Sequence, residues 1–144
     1  MASENNNNNN NNNYLMYFDG CSKGNPGKSG AGSVIYENDC EIWSSGFFVG
    51  NNQTNNYAEY YGLICGLEEA VKRNINYLTV KGDSLLVIKQ MKGEYQVKSE
   101  NLQNLFQQAK DLEKNFEKIE FIHVLRKYNK VADHLSNVGL LSNN

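Results

Sequence analysis

Apolar and polar positions divide the chain from Tyr14 onward into alternating strand-like and helix-like segments. Tyr14-Leu-Met-Tyr-Phe-Asp19 is nearly all apolar and ends in a carboxylate, the pattern of a strand buried on both faces in the middle of a sheet. Gly20 to Gly32 reads as a turn-rich connection, and Ser33 to Tyr36 and Glu41 to Phe48 as two further strands joined by a Glu37-Asn-Asp39 hairpin turn. Thr54 or Asn55 is placed to cap a helix with small or apolar residues at Ala58, Gly62, Leu63, Gly66, Leu67 and Ala70. Tyr77 to Lys81 is a second buried strand, followed closely by the carboxylate of Asp83, and a short helix runs from Ser84 to Met91. Leu102, Leu105, Phe106, Ala109, Leu112 and Phe116 mark a long amphipathic helix, Ile119 to Val124 a strand, and Asn129 to Val138 a last helix. Hairpin-connected strands followed by alternating helix and strand predict an α/β fold with a five-stranded mixed sheet and right-handed crossovers.

The 144 residues fit one domain, and 40% hydrophobic residues suffice for a core without disulfides. Asparagines 5 to 13 offer nothing to bury, so residues 1–13 are expected to form a disordered head, 14–141 the domain and 142–144 a tail. No apolar run is long enough to cross a bilayer and no signal peptide is evident, which predicts an intracellular protein of the cytoplasm or nucleus with no membrane partner. Cys21, Cys40 and Cys65 are odd in number and lack a C-x-x-C pair, which suits reduced thiols. The formal charge of −2 argues against a nucleic-acid binder, yet the stretch from Lys72 to Lys98 holds six basic and two acidic residues.

Ligands of open α/β sheets bind beyond the carboxyl ends of the strands, where Asp19 and Asp83 are expected. Glu59 falls at the edge of the buried face of the first helix and Asp133 beside the apolar stripe of the last. Four carboxylates near one spot repel unless divalent cations lie between them, and an all-oxygen set favours Mg²⁺ or Mn²⁺ over zinc. Gly27-Lys-Ser29 lacks the first glycine and the helix of a P-loop, which excludes a nucleoside triphosphatase. His123 and His134 lack zinc-ligand partners at the usual spacing, and no serine has the context of a hydrolase nucleophile.

Four blocks carry a resemblance: Tyr17-Phe-Asp19-Gly-Cys-Ser-Lys-Gly-Asn25-Pro-Gly with Gly30-Ala-Gly, Thr54-Asn-Asn-Tyr-Ala-Glu59-Tyr, Gly82-Asp83-Ser84, and Asn129-Lys-Val-Ala-Asp133-His-Leu-Ser. In order and context they resemble type 1 ribonuclease H, over Tyr14 to about Leu140. The resemblance implies the ribonuclease H fold and hydrolysis of the RNA strand of RNA/DNA hybrids. It implies two Mg²⁺ ions, with Mn²⁺ as a substitute, held by Asp19, Glu59, Asp83 and Asp133. Asp19 would bridge both ions, Asp133 would serve the nucleophile's side, and Glu59 and Asp83 the leaving-group side. It also implies substrate contacts from the first loop (Gly20, Cys21, Ser22, Lys23, Gly24 and Asn25), from Asn55 and Glu59, which would read the 2′-hydroxyl, and from Thr54 on a DNA phosphate. Ser84 and Asn129 fall within the matching blocks, and Lys89, Lys92 and Lys98 are the expected source of backbone grip. The family's histidine loop is missing, since only ten residues separate His123 from Asp133, and Arg126 is its candidate replacement. His123 is then expected to matter for stability more than for rate. No obligate protein partner is evident and a monomer is expected. Alternatives are another nuclease of the same fold, such as a junction resolvase or a retroelement-derived domain, and a catalytically silent nucleic-acid-binding module.

Overall fold

The computed structural model describes residues 12–142, so most of the predicted asparagine head and the last two residues of the tail lie outside the described residues. Strands β1 (Tyr14–Lys23), β2 (Gly27–Glu37) and β3 (Cys40–Gln53) are followed by helix α1 (Asn55–Lys72), strand β4 (Tyr77–Gly82), helices α2 (Leu85–Met91) and α3 (Glu100–Glu113), strand β5 (Lys118–His123) and helix α4 (Lys130–Leu141). One 3-10 turn, Arg126–Tyr128, leads into α4. The sheet order is β3-β2-β1-β4-β5, so the most apolar strand is central. β1 runs antiparallel to β2 and parallel to β4, which makes the sheet mixed as the alternation predicts.

The largest departure from the sequence pattern is Gly20 to Gly32. Most of this segment is strand, because β1 and β2 continue as one ladder with Cys21 opposite Gly30 and Lys23 opposite Lys28. The glycines serve close packing there. A Cβ on Gly20 would stand 2.3 Å from the backbone carbon of Ala58 in α1, and one on Gly30 would stand 2.3 Å from the backbone nitrogen of Leu140 in α4. Helices thus rest directly on both faces of the sheet. α4 also outruns its predicted end by three residues, and β3 extends five residues beyond its predicted end, to Gln53.

On one face the sheet residues Met16, Phe18 and Val80 and the α1 residues Tyr60, Leu63 and Leu67 are fully buried in one core, with α3 packed against α1. The Tyr60 hydroxyl donates to Gln90 Oε1 at 2.7 Å, satisfying a buried polar pair at the joint with α2. On the other face α4 covers parts of β1, β2 and β3. Asn12 and Asn13 are tied to the β2–β3 hairpin: Asn12 Nδ2 donates to Glu37 Oε2 at 2.7 Å, and the Asn38 backbone N–H donates to the Asn13 carbonyl at 2.8 Å. These bonds join the residues just before Tyr14 to the sheet. No helix of the described residues is long and apolar enough to cross a membrane.

Candidate active site

Asp19 lies on central β1, one residue beyond the point where Phe18 pairs with Gly82 of β4, and Asp83 follows Gly82. Parallel pairing therefore sets two carboxylates side by side at the carboxyl ends of adjacent strands. Glu59 comes from the second turn of α1. Thr54 caps that helix, its Oγ1 accepting the Tyr57 backbone N–H at 3.1 Å, and the contact at Gly20 brings α1 down onto β1. Glu59 is only 8% exposed and Asp19 4%. One carboxylate oxygen from each of Asp19, Glu59 and Asp83 lies within 4.8 Å of the others.

Such crowding shifts the ionisation of all three. Burial above all, then the charge of Asp83, pushes the Asp19 carboxyl up to about 7, although the Gly20 backbone N–H donates to its Oδ1 at 2.9 Å. Glu59 is raised well above the usual carboxylate range, first by burial and then by Asp19 and Asp83. Asp83 is raised chiefly by burial, and the Asn129 amide and the Arg126 guanidinium oppose the rise. Glu59 Oε1 is buried with no hydrogen-bond partner. A buried, unpartnered carboxylate oxygen beside two further carboxylates is a costly arrangement without a cation, and hard oxygen donors fit Mg²⁺ or Mn²⁺.

Asp133 sits in the first turn of α4, about a third exposed, and belongs to the outer part of the group: its charge acts on Asp19 and Asp83. Arg126 Nη2 lies 3.8 Å from Asp133 Oδ1, with its side chain 80% exposed. Asn129, buried just before α4, donates from Nδ2 to the Phe18 carbonyl at 2.9 Å and thereby fixes α4 to β1 next to Asp19.

The remaining predicted residues divide into two sets. Gly20, Cys21, Ser22 and Lys23 lie on β1, and Gly24 and Asn25 in the turn after it. Ser22 Oγ donates to the Gln53 carbonyl at 2.7 Å and Asn25 Oδ1 accepts the Asn55 N–H at 2.8 Å, so the first hairpin is joined to the start of α1. Ser84 Oγ accepts the Val87 N–H at 3.2 Å and caps α2. The basic stretch is partly neutralised: Lys89 and Lys92 each approach Glu94 at 3.5 Å and Arg73 pairs with Glu69 at 2.9 Å, while Lys98 is exposed in the segment before α3. His123 corrects its expectation, because it is exposed at the end of edge strand β5 and carries no core packing.

A family model described as reverse transcriptase-like matches residues 17–139. Among solved structures, the ribonuclease H1 of the halophilic archaeon Halobacterium salinarum superposes with a TM-score of 0.85 at 34% identity, over 91% of this chain and 99% of that one. The chain belongs to the type 1 ribonuclease H family. The N-terminal RNase H domain of Rv2228c from Mycobacterium tuberculosis superposes with a TM-score of 0.86 at 39% identity, over 90% of this chain and 94% of that one. LC11-RNase H1, solved in complex with an RNA/DNA hybrid, gives 0.82 at 31% identity over 88% and 96%. By sequence the full Rv2228c, a bifunctional protein, is 41% identical over 83% of this chain, which spans only a third of that relative's length. The Halobacterium ribonuclease HI sequence is 37% identical over 86% of this chain and 62% of its own.

Proposed function

We propose that the protein is an endoribonuclease that hydrolyses the RNA strand of RNA/DNA hybrids, acting as a monomer. The observation that carries this reading is the meeting of Asp19, Glu59 and Asp83 within 4.8 Å, with one Glu59 oxygen buried and unpartnered, in a ribonuclease H fold. Asp19, Glu59, Asp83 and Asp133 would hold two divalent cations, Mg²⁺ or in its place Mn²⁺. When bound, such a pair would supply charge to activate a water and to stabilise the leaving oxygen of an in-line displacement at phosphorus. Asp19, central and most buried of the aspartates, would be the residue best placed to supply charge to the cations.

The first hairpin and the start of α1 hold the substrate. Asn25 and Asn55 are fixed to each other, so the groups that face the 2′-hydroxyl are set before the hybrid arrives. Thr54 stands at the same helix end, where a phosphate is also favoured by the helix dipole. Arg126, near Asp133 yet mostly exposed, is free to turn its guanidinium fork onto the scissile phosphate or the leaving product. Lys89, Lys92 and Lys98 contact the backbone farther along.

Cleavage of a labelled RNA/DNA hybrid, duplex RNA, duplex DNA and a four-way junction, each compared in Mg²⁺, tests the reading. Selective internal cutting of the RNA strand of the hybrid is the expected outcome. Preference for the junction identifies a resolvase, and binding without cleavage a silent module.

A further inference from the structure

The sheet face that carries Asp19 is only partly covered by α4, and its uncovered part forms a cleft of about 320 Å³. Side chains on a strand alternate between faces, so Tyr17 shares the face of Asp19 and Lys81 that of Asp83, each two residues before the carboxylate. Tyr17 and Tyr36 meet edge to face with centroids 6.0 Å apart, and Lys81 Nζ stands 5.9 Å from the Tyr17 ring centroid. The far wall is Tyr128 and Val131, 61% and 45% exposed. Lys127, whose Nζ lies 5.1 Å from the Tyr128 ring centroid, and Lys130 stand on the rim. Asp39 lines the cleft, Glu41 pairs with Tyr36 across β2 and β3, and Glu120 lies on edge strand β5, while Lys81 and Lys127 are the cations that stand over the cleft's rings. Asn129, the residue that pins α4 beside Asp19, is part of the lining, so the cleft shares one residue with the support of the carboxylate site.

We propose that this cleft binds one nucleotide of single-stranded nucleic acid, the base against Tyr17, Tyr36 and Tyr128 and the phosphate against Lys81, Lys127 and Lys130. Stacking on aromatic rings beside cations is sequence-tolerant and suits an unpaired base. A volume of about 320 Å³ lies at the small end of ligand sites and suits a single nucleotide. That the nucleotide belongs to an unpaired flank of a hybrid rests on the function proposed above. Binding of a free nucleotide does not.

The test uses the full chain in EDTA, so that binding is read without hydrolysis. Fluorescence anisotropy compares a blunt hybrid with the same hybrid carrying four unpaired nucleotides on either strand end, with adenosine monophosphate as competitor. One overhang polarity is expected to bind about tenfold tighter than the blunt hybrid, within the range contributed by one stacked base. Tyr128→Ala and Lys81→Ala should each remove that gain and leave blunt-hybrid affinity unchanged. Competition by adenosine monophosphate against the gain alone identifies a site that also accepts free nucleotides, and its failure to compete identifies one that needs a strand. Equal affinity for blunt and tailed hybrids, or a gain that survives both variants, overturns the proposal. An overhang gain in a protein that cuts no hybrid in Mg²⁺ would retain the cleft and discard the nuclease.

Discussion

Replacing Asp19 by Asn keeps the shape of the side chain and removes the charge that two cations would share. Cleavage by Asp19→Asn is expected to fall by at least a hundredfold, with circular dichroism and hybrid binding unchanged; activity above a few per cent in the folded variant refutes the metal-binding assignment. Arg126 and His123 form a second test at this scale. Arg126 lies 3.8 Å from Asp133 while His123 is exposed at the end of β5. Arg126→Ala should slow single-turnover cleavage about tenfold with little change in thermal stability, and His123→Ala should change neither. A defect in Arg126→Ala that disappears at low salt reduces the residue to a backbone contact.

Elements are held in place here by contacts that forbid a side chain. Gly30→Ala forces a Cβ against the backbone of Leu140 and Ser136, each 2.3 Å from its ideal position, so α4 must shift away from β2. Backbone on both sides leaves no flexible group to yield, and a cost of about 3 kcal/mol follows. Chemical denaturation should show it, together with weakened cleavage, because Asn129 and Asp133 travel with α4. Stability equal to wild type would mean that helix and sheet are not in this register. The start of β1 offers a milder case: removing residues 1–13 should cost about 1 kcal/mol relative to removing 1–11, since Asn12 and Asn13 carry hydrogen bonds to Glu37 and Asn38. Thermal melts of the two truncations decide it.

At the scale of the whole molecule, the carboxylate cluster couples stability to pH and to divalent cations. Asp19 titrates near 7 in the fold against 3.8 ordinarily, and Glu59 is raised as well. A raised acid favours the folded state in its protonated form, so that contribution is complete at low pH and is lost as pH rises through about 7. In EDTA, the stability of Asp19→Asn relative to wild type should therefore grow from pH 4 to pH 8. Adding Mg²⁺ at pH 8 should raise the melting temperature of wild type and narrow the gap. A difference independent of pH would show that Asp19 is ordinarily ionised in the metal-free fold.

Apolar Tyr14 to Phe18, the Thr54 cap, the small-residue stripe of α1 and the amphipathic α3 were legible because they encode local preferences of period two or 3.6. Those preferences were enough to anticipate five strands, and the four motif blocks pointed to Asp19, Glu59, Asp83 and Asp133. The segment from Gly20 to Gly32 was not legible, because its glycines look like turn residues until the helices they admit are in place. The pairing of Lys89 and Lys92 with Glu94, the exposure of His123 and the bare sheet face around Tyr17 and Lys81 likewise depend on which elements meet. Local sequence determines what each segment is by itself. Burial, ionisation and the distance between carboxylates from four separate segments arise only when the chain closes on itself, since each depends on neighbours remote in sequence.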